Sequence, residues 1–259
     1  MALAHRLQSS RFELKYLIDE PKARAIRDFA RSYLVPDEYA PDTPTGDYLV
    51  NSVYLDDRDL SLCRATVTGQ RNRFKLRVRM YDDNPSSPVF FEIKRRDSNV
   101  VLKRRAAVRR EAVDRLLQTY HPRRTDLMTF TSEEFGALER FCELAAAIRG
   151  RAQTYVHYWR EAYESTESNA VRLTFDRNLQ AAPVDGRLGI PPMRRRFAPR
   201  VAGVVLELKF TNRFRKWMRQ MVRVFDLDHR SFPKYVTCAQ ALRSHEARIT
   251  LPHYWEVNA

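Results

Sequence analysis

The segment VAGVVLELKFT, residues 201–211, places two charged side chains, Glu207 and Lys209, inside an apolar run. Successive side chains of a β-strand point to opposite faces, so Glu207 and Lys209 share one face of a strand. The leucines and the phenylalanine that alternate with them point to the other face. The segment therefore predicts a strand with one charged face and one apolar face.

The same spacing of glutamate and lysine recurs in two other apolar segments. Glu13 and Lys15 lie near the start of the chain in RFELKY, and Glu92 and Lys94 lie in FFEIK. A fourth segment, RFKLRVRM at residues 73–80, alternates basic and apolar residues without interruption. This period of two predicts further strands, and it puts the cations of each strand on one face.

The chain is predicted to be a single α+β domain, residues 1–259, because no repeat of fixed period and no long linker divides it. Eight strands are predicted, at residues 11–18, 48–55, 73–80, 89–96, 100–108, 153–163, 171–179 and 201–211. Helices are predicted at residues 19–34, 59–66, 110–120, 132–148, 212–226 and 236–247. Ser98-Asn99 is the predicted turn between two of the strands, and the run Arg194-Arg195-Arg196 is predicted to be a solvated loop.

The charge of the chain indicates a polyanionic partner. The 259 residues include 46 Lys and Arg against 32 Asp and Glu, for a formal net charge of +14. Such an excess suits nucleic acid, an acidic membrane surface or a phosphate-rich small ligand. No apolar stretch is long enough for a transmembrane helix and the first residues lack a signal peptide's apolar core, so a cytoplasmic protein is expected.

The cysteines indicate neither a disulfide framework nor a zinc site. Cys63, Cys142 and Cys238 are odd in number, far apart, and outside any metal-ligand spacing. They are expected to be buried free thiols.

The cation-rich faces of the strands admit two interpretations. In a one-sided antiparallel sheet they would face water, as polar faces ordinarily do. Two features favour the interior instead. The faces carry mainly cations rather than mixed polar residues, and several amphipathic helices need an apolar sheet face to cover. Eight strands closed into an antiparallel β-barrel and surrounded by helices would turn the polar faces towards the lumen.

An interior with this many cations requires water and a bound polyanion, because an unpaired buried charge is costly. Phosphate chains suit such a lumen, since Arg and Lys donate hydrogen bonds to phosphoryl oxygens. The basic alternation makes Lys75 a candidate phosphate ligand. A divalent metal would be held by the few carboxylates, for which Glu13, Glu92 and Glu207 are the candidates.

Nine short motifs that carry these charges follow one another along nearly the whole chain. They are Arg11-Phe-Glu-Leu-Lys-Tyr16, Ser52-Val-Tyr-Leu-Asp56, Lys75-Leu-Arg-Val-Arg79, Phe91-Glu-Ile-Lys94, Lys103, Tyr158-Trp-Arg160, Arg172-Leu-Thr-Phe-Asp176, Leu206-Glu-Leu-Lys209 and Pro233-Lys-Tyr235. In this order they resemble the VTC domain family, the polyphosphate polymerase branch of the triphosphate tunnel (CYTH-like) metalloenzymes. The resemblance implies an eight-stranded antiparallel tunnel with a polar lumen.

The resemblance also implies which side chains bind the phosphates. They are Lys15, Arg77, Arg79, Lys94, Lys103, Arg160, Arg172, Lys209 and Lys234, assisted by Tyr158. Arg77, Arg79, Arg160 and Arg172 are the predicted catalytic cations, together with Glu207, which resembles the metal-binding glutamate of the family. Members of this branch use Mn²⁺ or Mg²⁺ to transfer the γ-phosphoryl group of ATP to polyphosphate and release ADP.

One departure from the family pattern bears on the reaction. The hydrolytic relatives begin with Glu-x-Glu-x-Lys, whereas this chain has Arg11 at the first acidic position and retains only Glu13. Losing a carboxylate weakens a second metal site and the means to orient a water. This favours transfer to a phosphate acceptor, which is already ionised. A triphosphatase or nucleoside triphosphatase is the first alternative, and a non-catalytic module that binds polyphosphate or nucleotide is the second.

The basic helix at residues 212–226 has two interpretations. Its cations between Arg213 and Arg223 face away from an apolar stripe, so the helix could pack on the sheet or contact a membrane surface. Packing is favoured because the helix directly follows a core strand. Nucleic acid is not expected as a partner, since the chain has no recognisable nucleic-acid-binding module and duplex DNA would not enter a narrow tunnel.

Overall fold

The structure is a computed structural model that describes residues 11–40, 46–97, 100–166, 171–184, 203–211 and 213–245. Five sequence predictions lie wholly or partly outside these residues: the turn Ser98-Asn99, the loop containing Arg194-Arg195-Arg196, the first two residues of the 201–211 strand, the first residue of the 212–226 helix and the last two residues of the 236–247 helix. In the described part, no helix is long and apolar enough to cross a membrane.

The core of the fold is one antiparallel sheet. Its eight long strands are β1 (Arg11–Ile18), β3 (Asp47–Asp56), β4 (Asn72–Met80), β5 (Val89–Asp97), β6 (Val100–Val108), β7 (Arg151–Glu164), β8 (Val171–Pro183) and β9 (Val204–Thr211). They lie in the order β1-β9-β8-β7-β3-β4-β5-β6. All eight correspond to predicted strands. The short strand β2 (Val35–Pro36), which pairs with β7, lies outside all the predicted strands and helices.

The two ends of the sheet approach each other through side chains. β1 and β6 are the end strands of the pairing order, and no backbone ladder joins them among the described residues. The sheet nevertheless curls, as a contact between strands near its two ends shows: Nζ of Lys94 on β5 donates to Glu13 Oε2 on β1 at 2.9 Å. The fold is therefore a mixed α/β structure with a large antiparallel sheet, and the closed barrel stays a prediction.

The described part of the chain has six α-helices. They are α1 (Glu20–Ala30), α2 (Ser61–Val67), α3 (Val113–Thr119), α4 (Ser132–Ala147), α5 (Lys216–Val224) and α6 (Lys234–His245). Of these, α1, α3, α4 and α5 pack on the outer face of the sheet, whereas α6 packs on the inner-face residues Val50, Tyr54 and Tyr158.

The start of α1 follows the predicted signals: Asp19 caps the helix by accepting from the backbone N–H of Lys22 at 2.7 Å, and Pro21 lies in the first turn. Helix α5 packs through Met218 and Met221, both fully buried, as favoured from the sequence.

The 201–211 segment shows which face of the sheet is inside. Leu206 and Leu208 are fully buried in one cluster with residues of α1 and α5. Glu207, on the opposite face, is only 5% exposed. Both faces of β9 are therefore covered, one by helices and the other by the inner side of the curled sheet. The three cysteines are buried and free, as expected.

Candidate functional site

A cavity of about 630 Å³ lies on the inner side of the curled sheet. Eight of the predicted site residues line it, and seven of these are cations: Glu13, Arg77, Arg79, Lys94, Lys103, Arg160, Arg172 and Lys209. They come from seven strands, so the cavity exists only because the sheet curls. A volume of this size is typical of small-molecule sites.

Glu207 on β9 is shared by four cations. Its carboxylate oxygens lie 2.8 Å from Nζ of Lys234, 3.0 Å from Lys209, 3.5 Å from Lys15 and 3.7 Å from Arg160. Burial alone would raise the pKa of Glu207, but the four charges hold that pKa well below its usual range. Glu207 therefore stays ionised and fixes the positions of predicted phosphate ligands from β1, β7, β9 and α6.

Asp176 on β8 is a second shared carboxylate, and it was not among the predicted site residues. It accepts two hydrogen bonds from Arg160, at 2.7 and 2.8 Å, and lies 2.7 Å from Nζ of Lys234. The bidentate geometry fixes the plane of the Arg160 guanidinium. One signal was present in the sequence: Asp176 shares a strand face with Arg172 and Thr174.

Two of the three predicted metal ligands meet at Lys15. Its Nζ lies 3.2 Å from Glu13 Oε1 and 3.5 Å from Glu207 Oε1. Burial would raise the pKa of Glu13, but the ammonium groups of Lys94 and Lys15 outweigh it and lower that pKa. The site thus offers two ionised carboxylates whose oxygens share one cation.

This carboxylate pair fits a particular kind of metal site. Mg²⁺ and Mn²⁺ prefer oxygen donors, and Mg²⁺ is commonly held by one or two carboxylates plus substrate phosphates and water. Among the residues that the structure describes, no group of three or more His, Cys, Asp or Glu side chains could hold a metal. Glu13 and Glu207 therefore suit a metal that binds together with a phosphate ligand, and not one held by the protein alone.

The third predicted metal ligand, Glu92 on β5, contacts a separate group of cations. Its carboxylate, 1% exposed, lies 2.6 Å from Nε of Arg77, 2.7 Å from Nζ of Lys103 and 3.9 Å from Nε of Arg79. Burial lowers the pKa of Lys103 to about 8, although Glu92 partly offsets the shift. Glu92 therefore positions these three cations. Its role as a metal ligand stays a prediction.

Tyr158 and Arg79 meet on the inner face of the sheet. Nη2 of Arg79 lies 3.4 Å from the Tyr158 hydroxyl, and Nε of Arg79 donates to Ser52 Oγ at 3.2 Å. The ammonium of Lys234 lies 5.2 Å from the centre of the Tyr158 ring. Tyr158 therefore links cations of β4 and α6, and its assisting role in phosphate binding stays a prediction.

Arg172 on β8 is held by a loop that carries no recognisable sequence pattern. Its guanidinium donates to Asp37 Oδ2, and it also lies 3.1 Å from the Tyr48 hydroxyl. Asp37 is 4% exposed and follows β2, whose pairing with β7 brings the loop to the sheet. No periodicity marks a single acid in a proline-containing loop, so Asp37 could not be found from the sequence.

Lys75 is the one predicted phosphate ligand that has no carboxylate contact among the described residues. It pairs with Lys94 across β4 and β5. Burial, reinforced by the charges of Lys15 and Lys94, lowers the pKa of Lys75 to about 7. The structure thus gives Lys75 cationic neighbours and no internal counter-charge.

A cation-lined interior of this kind suits a polyanionic ligand. The family model described as VTC domain matches residues 10–243, and the chain belongs to that family. A comparison with curated proteins gives no match. Among solved structures, the PH1819 protein from Pyrococcus horikoshii OT3 matches at 11% identity and a TM-score of 0.43, covering 86% of this chain and 95% of its own. The Mimivirus capping enzyme triphosphatase matches at 12% identity and a TM-score of 0.36, covering 84% of this chain and 89% of its own.

Proposed function

We propose that the chain is a metal-dependent polyphosphate polymerase, which transfers the γ-phosphoryl group of ATP to a polyphosphate chain inside a closed β-barrel tunnel. The observation that carries the proposal is the convergence of seven predicted phosphate-binding cations from six strands on one cavity. Membership of the VTC domain family supports it. Three predicted cations do not line the cavity: Lys15 and Lys234 contact Glu207 next to it, and Lys75 pairs with Lys94 across β4 and β5.

The proposed reaction depends on positioning and charge neutralisation. A phosphate acceptor is already ionised, so the protein needs no strong base. The guanidinium groups of Arg77, Arg79, Arg160 and Arg172 can each donate paired hydrogen bonds to phosphoryl oxygens. Asp176 holds Arg160 in a fixed plane before the ligand arrives, and this preorganisation lowers the cost of binding the transition state.

Glu13 and Glu207 are the residues that would hold Mg²⁺ or Mn²⁺ in the proposed enzyme. When bound, the metal would neutralise charge on the phosphate oxygens. Lys15 contacts both carboxylates, so its ammonium supplies positive charge at the same place in the protein itself.

The test is a product assay with the pure protein, ATP, Mn²⁺ and a short polyphosphate primer. We expect long polyphosphate and stoichiometric ADP. Release of free phosphate alone would overturn the proposal in favour of a triphosphatase. Tight binding of tripolyphosphate without any turnover would identify a binding module.

The role of Glu13 is tested by Glu13→Gln, which keeps the size of the side chain and removes its charge. We expect a higher Mn²⁺ concentration for half-maximal activity, because one metal-binding oxygen loses its charge. Glu143→Gln is the matched control, since Glu143 pairs with Arg140 on the exposed face of α4. An unchanged Mn²⁺ requirement in Glu13→Gln would remove Glu13 from the metal site.

A further inference from the structure

The cavity has an aromatic part as well as a cationic part. Tyr39, Tyr48, Tyr81 and Phe90 line it together with Arg105, and we call these five residues the aromatic mouth. The Tyr48 and Tyr81 rings lie 6.1 Å apart edge to face, and the Tyr81 and Phe90 rings lie 5.8 Å apart in the same arrangement. The Arg105 guanidinium lies 3.4 Å from the centre of the Phe90 ring. The mouth is therefore a connected group of flat surfaces.

The aromatic mouth has an exposed edge. Tyr39 is 66% exposed, whereas Arg79 and Arg160, which line the same cavity, are 5% and 7% exposed. A ligand that enters at this edge meets the rings before it reaches these two arginines.

Strand register makes the two parts of the cavity continuous. Phe90 stands directly opposite Arg79 across β4 and β5, and Tyr48 stands directly opposite Arg160 across β3 and β7. Directly paired residues share a face of the sheet. Each of these two aromatic side chains therefore borders one of the predicted catalytic arginines.

The loop that carries Tyr39 is tied to the cations as well. Asp37 accepts from the backbone N–H of Tyr39 at 3.1 Å with Oδ1, while its Oδ2 accepts from Arg172 and from the Tyr48 hydroxyl. The buried carboxylate of Asp37 thus fixes the backbone of Tyr39 relative to Arg172, a predicted phosphate ligand.

A chain of phosphates alone gives the faces of these rings nothing to bind, since phosphates are recognised by cations and hydrogen-bond donors. A nucleobase has a flat π-face that stacks on aromatic rings and on Arg guanidinium planes. We propose that the aromatic mouth binds the nucleoside end of a nucleoside triphosphate whose phosphates lie among the cations. This inference rests on the proposed function and names the residues that would distinguish a nucleotide from inorganic triphosphate.

The mouth recognises the face of the base and not its edge. Two polar side chains that line the cavity beside the mouth, Ser87 and Asp82, are engaged with each other, Ser87 Oγ donating to Asp82 Oδ2 at 2.9 Å. Arg110 lies 3.7 Å from the other oxygen of the Asp82 carboxylate. Stacking tolerates different bases, so ATP and GTP are expected to bind with similar affinity.

The experiment compares two ligands in three full-length proteins. Calorimetry measures the Kd of ATP and of tripolyphosphate for the wild type, for Tyr39→Ala and for Tyr39→Phe. Loss of one stacking surface is expected to weaken ATP about tenfold. Tripolyphosphate affinity is expected to change less than twofold, because tripolyphosphate has no base. Tyr39→Phe keeps the ring and is expected to keep the wild-type affinity for ATP.

Tyr33→Ala is the matched control. Tyr33 is another exposed tyrosine, 43% accessible, and it stacks on Trp217 away from the cavity. Equal changes for ATP and tripolyphosphate in Tyr39→Ala, or no change in either, would overturn the nucleoside assignment. The product assay tests the proposed function separately, because it measures polymer formation and not the ratio of the affinities for ATP and tripolyphosphate. Either test can therefore fail without the other.

Discussion

The two walls of the cavity balance their charges in different ways. The first wall is formed by β1, β7, β8, β9, the β2 loop and the start of α6. Its cations are Lys15, Arg160, Arg172, Lys209 and Lys234, and its carboxylates are Glu13, Asp37, Asp176 and Glu207. The second wall is formed by β4, β5 and β6. Its cations are Lys75, Arg77, Arg79, Lys94, Lys103 and Arg105. Its carboxylate, Glu92, contacts Arg77, Arg79 and Lys103, whereas Lys94 contacts Glu13 of the first wall.

The difference separates two requirements of a polyanion site. In the first wall, shared carboxylates fix the cations in place and offset the cost of burying them. In the second wall, the cations outnumber their internal counter-charges, so a bound polyanion would supply the missing charge. We therefore expect substitutions in the first wall to act mainly on stability, and substitutions in the second wall to act mainly on ligand affinity.

The largest effect is expected from Asp176→Asn in the first wall. The change leaves Arg160 and Lys234 buried with one fewer counter-charge, and breaking a buried ion pair in this way costs about 3–5 kcal/mol. Denaturant unfolding measures the loss in the free energy of unfolding. Asp228→Asn is the control, because its partner Arg230 is exposed and such pairs contribute at most about 1 kcal/mol. Similar losses of stability for the two variants would contradict the claim that the carboxylates of the first wall stabilise its buried cations.

A smaller effect is expected from Arg79→Met in the second wall, and it should fall on ligand affinity and not on stability. Removing one surplus buried cation should change the free energy of unfolding by less than about 1 kcal/mol, since apolar replacement of buried charge is often neutral. Affinity for tripolyphosphate should fall about 10–100-fold, the size of a charge-assisted hydrogen bond. Calorimetry measures the Kd, and Arg219→Met on the exposed face of α5 controls for the change in net charge. A strongly destabilised Arg79→Met with unchanged affinity would place Arg79 with the first wall.

The smallest effect concerns protons taken up by Lys75. Its pKa of about 7 lies below the ordinary lysine value, so Lys75 is largely neutral at pH 8 without ligand. A polyanion would raise that pKa, and binding at pH 8 should therefore take up as much as about one proton through Lys75. Calorimetry in two buffers of different ionisation enthalpy measures the uptake.

Lys75→Met is expected to reduce this uptake and to flatten the fall in affinity between pH 7 and pH 9. An identical proton uptake in wild type and variant would rule out Lys75. The same depressed pKa has a consequence for stability. Between about pH 7 and pH 10 the unfolded chain binds the additional proton, so the contribution of Lys75 to the free energy of unfolding rises with pH.

The inner faces of the strands could be predicted because strand periodicity depends only on neighbouring residues. The alternation at residues 201–211 predicted that Glu207 and Lys209 share a face, and the structure places their charged groups 3.0 Å apart. The pairing of acids with cations from distant strands could not be predicted in this way. Asp176 can pair with Arg160 because β8 lies between β7 and β9. The alternation of residues within one strand does not reveal the order of the strands in the sheet.

The loop residues were beyond the reach of sequence patterns for a different reason. Asp37 and Tyr39 follow a two-residue strand containing Pro36, and neither belongs to a repeating pattern. Their positions depend on the ladder between β2 and β7 and on hydrogen bonds to Arg172 and Tyr48. Contacts of this kind form between segments more than 100 residues apart in the chain, as the Asp37 and Arg172 pair illustrates.

By itself, the sequence determined the positions of eight strands and the face on which each carries its charges, because both follow from local alternation. Only the tertiary structure decided that these faces meet around one cavity. It also decided that four carboxylates offset most of the charge of the five cations in the first wall, while the second wall has six cations around one carboxylate of its own. The physical reason is that the strength of a charge pair depends on distance and burial, and both are set by how distant strands pack together.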